Sequence, residues 1–284
     1  NYNKVDSVEK TQIIDGTARF VDDHTVVVDT AEGEKLFKAD RIFINTGATP
    51  FVPPVEGLTI GGAIHTSETI MNLEEYPESL VIIGSGFIGL EFAATYAQFG
   101  TKVTVVDVID TFLPREDEDV AQAVKEQLEA LGVTFNLGVQ LKAVHQEGGK
   151  AVVEATTGEG APVAFTTDAV LVATGRRANV QGLDLDKAGV ELTERGAIKV
   201  NEFLQTNVPH IFAMGDVNGG PQFTFVSLDD FRIVKRFLAG DTTYSTKQRA
   251  KFPTATFINP PLASVGLNEK QAKEAGIEVK VAKL

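Results

Sequence analysis

The rhythm of apolar and polar positions changes near residue 80. Before it, "TARFVDDHTVVVDT" (17–30) alternates around a polar turn, and "LFKADRIFINTGATP" (36–50) runs from a strand into a glycine turn. Alternation with period two predicts half-buried strands. "FVPPVEG" reads as a proline-rich connector, and "SETIMNLEEYPESL" predicts a short helix opened by Ser67 and closed before Pro77. From residue 80, "LVIIG" is continuously apolar, as in a parallel sheet covered on both faces. "FIGLEFAATYAQFG" predicts a helix ending at Gly100, and "KVTVVDV" a second strand. "REDEDVAQAVKEQLEALG" predicts an amphipathic helix with an acidic first turn, closed by Gly132, and "VTFN" a third strand. Strand–helix alternation of this kind is the mark of a doubly wound α/β sheet.

Three further segments, "VQLKAVHQE", "KAVVEATT" and "APVAFTT", are separated by short polar turns and predict an antiparallel meander. "AVLVATG" is then a buried strand running into a glycine turn. Residues 179–247 hold short strands, "GAIKVN" and "HIFAMGDV", then the helical "SLDDFRIVKRFLAG". "FPTATFINPPLASVGLNEKQAKEAG" opens a new β/α unit, and the alternating "IEVKVAKL" after Gly276 predicts another strand. The first residue is Asn1 and no signal peptide follows it, so both ends read as cut from something longer.

Composition narrows the function classes. A chain of 284 residues, 43% hydrophobic, is large enough for two domains. No apolar run approaches the roughly 18 residues that span a bilayer. A net charge of −13 repels phosphate backbones and anionic lipid, which argues against nucleic-acid and membrane partners; the protein is expected in the cytoplasm. There is no cysteine, hence no disulfide, thiolate nucleophile or cysteine metal site in this chain. The four histidines, His24, His65, His145 and His210, never fall in a metal-like spacing, and no metal is expected.

The chemistry concentrates in "LVIIGSGFIGLEFAA". Gly84, Gly86 and Gly89 form G-x-G-x-x-G between an apolar strand and a helix. The first glycine permits the tight turn, the second lets backbone approach a pyrophosphate, and the third lets the helix pack against the sheet. The helix N-terminus offers N–H groups and partial positive charge to the phosphates. The bland alternative is a glycine turn that packs a helix and binds nothing. Asp107, at the end of the next strand and about 20 residues on, completes the dinucleotide pattern. A carboxylate there accepts hydrogen bonds from ribose hydroxyls and repels a 2′-phosphate, which favours NAD(H) over NADP(H). Arg115 in the following loop keeps NADP(H) open. The acidic run Glu116–Asp119 is read as helix-start carboxylates suited to the macrodipole, not as a metal site. Asp229 and Asp230 are read in the same way.

A second set of signals is "INTGATP" (44–50), "VATGRRAN" (172–179) and "IFAMGDVNGGPQFT" (211–224). The first two are strand-to-glycine turns. The third puts a carboxylate on a tight turn after an apolar strand, placed to accept a ribityl or ribose hydroxyl.

Taken together and in order, these stretches resemble the FAD-dependent pyridine nucleotide–disulfide oxidoreductases, the family of glutathione reductase, lipoamide dehydrogenase and mercuric reductase. "GDVNGGPQFTFVSLDDFRIV" is most similar to the bacterial reactive-chlorine-resistance reductases. The resemblance implies a Rossmann-like NAD(P)-binding domain with a β-meander (79–178), inserted in a partial FAD-binding domain (1–78 and 179–246), and the start of a dimerisation domain (247–284). It implies Ile88 and Glu91 beside the nicotinamide, Phe87 as a gate over the flavin, and Gly175 touching the pyridine nucleotide. It also implies Gly47 along the FAD path, Asp216 on the ribityl chain, and Phe223 and Thr224 near the isoalloxazine. Hydride from NAD(P)H would pass to FAD, and electrons onward to a disulfide or small-molecule oxidant, in a homodimer.

The departures are as informative. The family's first glycine fingerprint and its redox cysteine pair are not in this sequence, and neither is the C-terminal His–Glu pair. The expectation is therefore a fragment that binds NADH, holds little FAD and contributes no catalytic cysteine. Two other readings stand beside it. One is an NAD(P)H oxidase or ferredoxin-reductase-type flavoenzyme that needs no cysteine pair. The other is a non-enzymatic nucleotide-binding module.

Overall fold

The computed structural model describes residues 8–249 and 251–283. Contacts divide the chain into two compact units, residues 1–49 with 177–249, and residues 50–176 with 250–284.

The strands of the first unit begin with β1 (Thr17–Phe20), β2 (Thr25–Thr30) and β3 (Gly33–Lys38), an antiparallel ribbon in that order. β4 (Ile42–Ile44) follows, and β5 (Ala48–Pro50) carries the chain out of this unit.

The second unit contains β6 (Ile64–Thr66), β7 (Ser79–Ile83), helix α1 (Phe87–Gln98), β8 (Lys102–Val106), α2 (Glu118–Ala130) and β9 (Thr134–Asn136). The expected meander follows as β10 (Gln140–Glu147), β11 (Lys150–Thr156) and β12 (Pro162–Thr167), all antiparallel. β13 (Ala169–Val172) then returns to the main sheet. That sheet has the order β6-β13-β7-β8-β9 and every pairing in it is parallel. The chain runs outward from β7 through β8 to β9, then comes back to the opposite side of β7. The strand order therefore reverses between β7 and β13, and α/β sheets hold their ligands at the carboxyl ends beside such a reversal.

Leu80, Ile82, Val103, Val105 and Leu171 are almost fully buried on one face, among Leu90, Ala93 and Ala94 of α1 and Val124 and Leu128 of α2. Val81, Ile83, Val106, Val170 and Val172 point to the other face, where the meander covers them with Val144, Ala151 and Val153. Two-sided cover explains why these strands read as unbroken apolar runs. Each fully buried aliphatic side chain contributes about 1.5–3 kcal/mol. Tyr96, otherwise buried, donates its hydroxyl to the Ile70 carbonyl at 3.2 Å.

β14 (Arg176–Ala178) pairs with β5; the chain changes unit at 49/50, at 176/177 and a third time at 249/250. In the first unit, β15 (Ile211–Ala213) lies parallel to β4, followed by α3 (Thr224–Leu238). Ile44, Ile198, Ile211, Ala213 and Val217 form its core. The last elements, β16 (Thr254–Thr256), β17 (Leu262–Ser264) and α4 (Glu269–Glu274), belong to the second unit.

Several expectations are corrected. The "SETIMNLEEYPESL" helix is only a 3₁₀ turn, Ile70–Asn72. "GAIKVN" forms no strand beyond a bridge between Leu192 and Ile198. "IEVKVAKL" forms no strand over 277–283, where its side chains are exposed. The chain first changes unit at 49/50, and β6 is the outer strand of the large sheet.

Candidate functional site

In the second unit the carboxyl ends of four strands, β13, β7, β8 and β9, are locked level. Gly84 N–H donates to Val106 O at 2.8 Å, Ala173 N–H to Ile83 O at 2.8 Å, and Asp107 N–H to Asn136 O at 3.1 Å. The glycine turn, Asp107 and the Ala173–Gly175 turn thus meet at the strand reversal. Gly84 has φ +109, and a Cβ there would stand 2.5 Å from Ala173 O, so the two turns touch through backbone. A Cβ on Gly89 would stand 2.1 Å from Gly84 O, which makes this glycine a condition for α1 starting so close to the turn.

Gly86 is different. It is the exposed N-cap of α1 with φ −74, a value open to any residue, and nothing lies within 4 Å of where its Cβ would be. Neither backbone strain nor packing in this chain demands a glycine there. The open space sits at a helix N-terminus, where N–H groups and the macrodipole attract phosphate. Phe87 and Ile88 open α1, Phe87 exposed and Ile88 half-buried. Gly175 has φ +105 with open space beside it, and its carbonyl accepts from Phe51 N–H at 2.9 Å.

Asp107 has more to hold than its sequence position shows. Its Oδ2 accepts from Ser85 N–H at 2.6 Å and Ser85 Oγ at 2.7 Å, and its Oδ1 accepts from Ile109 N–H at 3.0 Å. The carboxylate fastens the glycine turn to the end of β8, and Oδ1 keeps lone-pair capacity for a further donor. Glu91 is likewise engaged, accepting at Oε1 from Phe257 N–H at 2.8 Å. Neither Ser85 nor Phe257 stood out in the sequence. A hydroxyl residue inside the glycine fingerprint was the one available sign of the first.

The first unit repeats the arrangement on a smaller scale. Met214 N–H donates to Ile44 O at 3.0 Å, so the turn after β15 lies beside the turn after β4. Gly47 has φ +71 with open space beside it, and its carbonyl accepts from Asn179 N–H at 2.9 Å while Thr46 Oγ1 donates to Asn179 O at 2.7 Å. Asp216 lies in the 3₁₀ turn Gly215–Asn218, half-buried, and its carboxylate takes part in no hydrogen bond among the described residues. Phe223 is the N-cap of α3 and Thr224 its first residue.

The Glu116–Asp119 run does open α2, with Asp117 as N-cap and Glu118 and Asp119 in the first turn, whereas the reading of Asp229 and Asp230 is corrected. α3 begins at Thr224, so Asp229 and Asp230 lie inside it and not at its start. Asp230 is 2% exposed and accepts from Gly215 N–H at 2.8 Å and Asn218 Nδ2 at 3.1 Å. In the Glu116–Asp119 run, Asp117 caps another helix, accepting at 3.0 Å from both Glu269 and Lys270 N–H of α4, and Asp119 pairs with Lys283 at 2.5 Å.

The fold also gathers residues that sequence spacing kept apart. His24 and His210 stack with ring centroids 3.8 Å apart and planes 6° from parallel, next to Asp23. His24 Nδ1 donates to Ala39 O at 2.8 Å and His210 Nε2 donates to Asp23 O at 2.7 Å, leaving one basic nitrogen on each ring. Lone pairs of stacked rings lie in separate parallel planes and do not converge on one point, which is poor geometry for a shared ion.

Comparison with known proteins agrees with this architecture. Residues 1–230 match the family described as pyridine nucleotide-disulphide oxidoreductase, and residues 252–284 match its dimerisation domain. The whole chain is 39% identical to the probable pyridine nucleotide-disulfide oxidoreductase RclA of Escherichia coli and covers 63% of it. Over 95% of its length it is 36% identical to the dihydrolipoyl dehydrogenase of Mycobacterium tuberculosis, covering 58% of that protein. A solved structure described as the Cu(II) complex of HOCl-induced flavoprotein disulfide reductase RclA superposes with a TM-score of 0.92 at 38% identity, covering 97% of this chain and 61% of that one. The chain thus spans about three fifths of these relatives. Among the described residues no helix is long and apolar enough to cross a membrane. Parallel-strand glycine turns in both units, a family match over residues 1–230 and this close structural likeness lead to one conclusion: the chain belongs to the pyridine nucleotide-disulphide oxidoreductase family.

Proposed function

We propose that this chain carries the pyridine-nucleotide site and part of the flavin site of a cytoplasmic, homodimeric flavoprotein that draws hydride from NADH and delivers electrons to a disulfide or a small oxidant. The observation that supports it most directly is Gly86, a glycine at a helix N-terminus that no strain or packing within the chain requires. Gly84 and Gly89 shape the turn, Gly86 admits the pyrophosphate to the α1 N–H groups, and Asp107 accepts from an adenosine ribose hydroxyl. Its charge disfavours a 2′-phosphate, hence NAD(H) over NADP(H). Ile88, Glu91 and Gly175 line the nicotinamide side, and Phe87 stands as the gate over the flavin.

In the first unit, Gly47 leaves room for backbone approach and Asp216 offers an uncommitted carboxylate to a ribityl hydroxyl, with Phe223 and Thr224 alongside. Those features suit a flavin dinucleotide. The flavin supplies, when bound, a carrier that accepts hydride and passes on electrons; the chain's own residues bind, orient and exclude water.

Calorimetric titration of the purified chain tests the nucleotide assignment. NADH is expected to bind saturably, NADPH more weakly, and Gly86→Ala to remove NADH binding from a protein that still folds. A folded chain that takes up neither nucleotide would overturn the assignment.

A further inference from the structure

Asp230 is a carboxylate inside a helix, 2% exposed, at a position where an apolar side chain would ordinarily serve at lower cost. Its two oxygens divide their partners. Oδ2 accepts from Gly215 N–H at 2.8 Å and from Asn218 Nδ2 at 3.1 Å, which are the first and last residues of the turn that presents Asp216. Oδ1 accepts from Arg249 Nη2. Arg249, itself only 14% exposed, also donates through Nε to Asp229 Oδ2 at 2.7 Å. Tyr244 Oη donates to the other oxygen of Asp229 at 3.0 Å, and burial together with this carboxylate pushes the Tyr244 hydroxyl above its ordinary range.

The turn has little freedom on its other sides. Gly215 has φ +68, and a Cβ there would stand 2.8 Å from Ser227 Oγ and 2.9 Å from Asn45 Oδ1. Asn218 Oδ1 accepts from Gly220 N–H at 2.9 Å. Asp216, in between, is the one carboxylate of this cluster without a hydrogen-bond partner among the described residues. All of these residues lie in the first unit.

We propose that Asp230 and Arg249 form a positioning pair for Asp216: the buried ion pair holds the Gly215–Asn218 turn by both ends, so that the Asp216 carboxylate faces outward at a fixed place to receive a ligand hydroxyl. The proposal rests on the flavin reading given above. A charged acceptor grips the Gly215 N–H more strongly than a neutral one, and Arg249 supplies the counter-charge that lets a carboxylate stay ionised while buried. An arginine is suited to this because its planar fork reaches two adjacent carboxylates together. Asp230 touches no ligand. It acts through Asp216.

The test uses the protein as its gene encodes it, stripped of flavin and titrated with FAD by fluorescence quenching, with NADH affinity and apoprotein melting measured in parallel. Asp230→Asn and Arg249→Gln are expected to weaken FAD binding tenfold or more and to leave NADH affinity within twofold. Arg249→Lys, which keeps the charge and loses the fork, is expected to fall between Arg249→Gln and the parent. FAD affinity within twofold of the parent in both Asp230→Asn and Arg249→Gln would overturn the positioning role, as would a parallel loss of FAD and NADH binding, which marks general unfolding. Asp216→Ala separates the two readings. If it weakens FAD binding while the pair variants do not, the pair proposal fails alone. If Asp216→Ala changes nothing, the flavin reading itself fails.

Discussion

Asp107 Oδ2 accepts both the backbone N–H of Ser85, at 2.6 Å, and its hydroxyl, at 2.7 Å. The residue proposed to choose between NADH and NADPH therefore also holds the fingerprint turn in place. Ser85→Ala removes one of these bonds, about 1 kcal/mol, and NADH affinity is expected to fall about fivefold. Asp107→Asn keeps an acceptor but removes the charge, so the ratio of NADPH to NADH affinity should rise. Calorimetry with both nucleotides reads each outcome, and an unchanged ratio in Asp107→Asn would count against the role given to its charge.

Gly86 and Gly89 separate binding from folding. The Gly89→Ala Cβ would meet Gly84 O at 2.1 Å, a backbone contact that has to move α1. A cost of about 1–3 kcal/mol and a melting point several degrees lower are expected. Gly86→Ala enters open space at an ordinary φ and should shift melting by under about 1 kcal/mol while removing NADH binding. Equal melting losses in the two variants would contradict the distinction.

Gly215→Ala combines φ +68 with contacts at 2.8 and 2.9 Å, to Ser227 Oγ and Asn45 Oδ1. Hydrogen exchange at β4 and β15 amides is expected to accelerate, because the turn between their carboxyl ends is strained. NADH binding is expected to survive, since its residues belong to the other unit. Loss of protection in β7 and β8 instead would contradict that assignment.

His65, 9% exposed in β6, has its pKa lowered by burial. The unfolded chain then binds the proton more readily than the folded one. Stability from this group is fully present above the unfolded value, about 6.5, and is lost as pH falls from there through the lower folded value. Asp168 is held below its ordinary range by its hydrogen bond from Lys150 and then by that from Ser79, so its contribution is lost only at more acid pH, below about 4. Urea melts from pH 7.5 to 5 should show a decline that His65→Gln flattens and Asp168→Asn does not.

The main sheet was legible because its strands are covered on both faces and its helices end at Gly100 and Gly132, both with positive φ. β6 was not, since "IHT" is too short to show a period and gains its place only by pairing with β13. "IEVKVAKL" misled for the opposite reason. It alternates well but finds no neighbouring strand among the described residues, and its first N–H, at Ile277, goes instead to Ala272 O at the end of α4, at 2.9 Å. The glycine turns and Asp107 were legible as a motif. The roles of Ser85, Asn179 and Asp230 were not, because each depends on a partner far away in sequence.

In both units a glycine turn is fastened from behind by an acid: Asp107 on Ser85, Asp230 on Gly215. Glycine makes such turns easy to bend, and a floppy turn would have to be ordered at the moment of binding, at the expense of affinity. The carboxylates impose that order during folding. Part of the chain's acid excess is thus invested in preorganisation, and the cradles stand in shape before any ligand arrives.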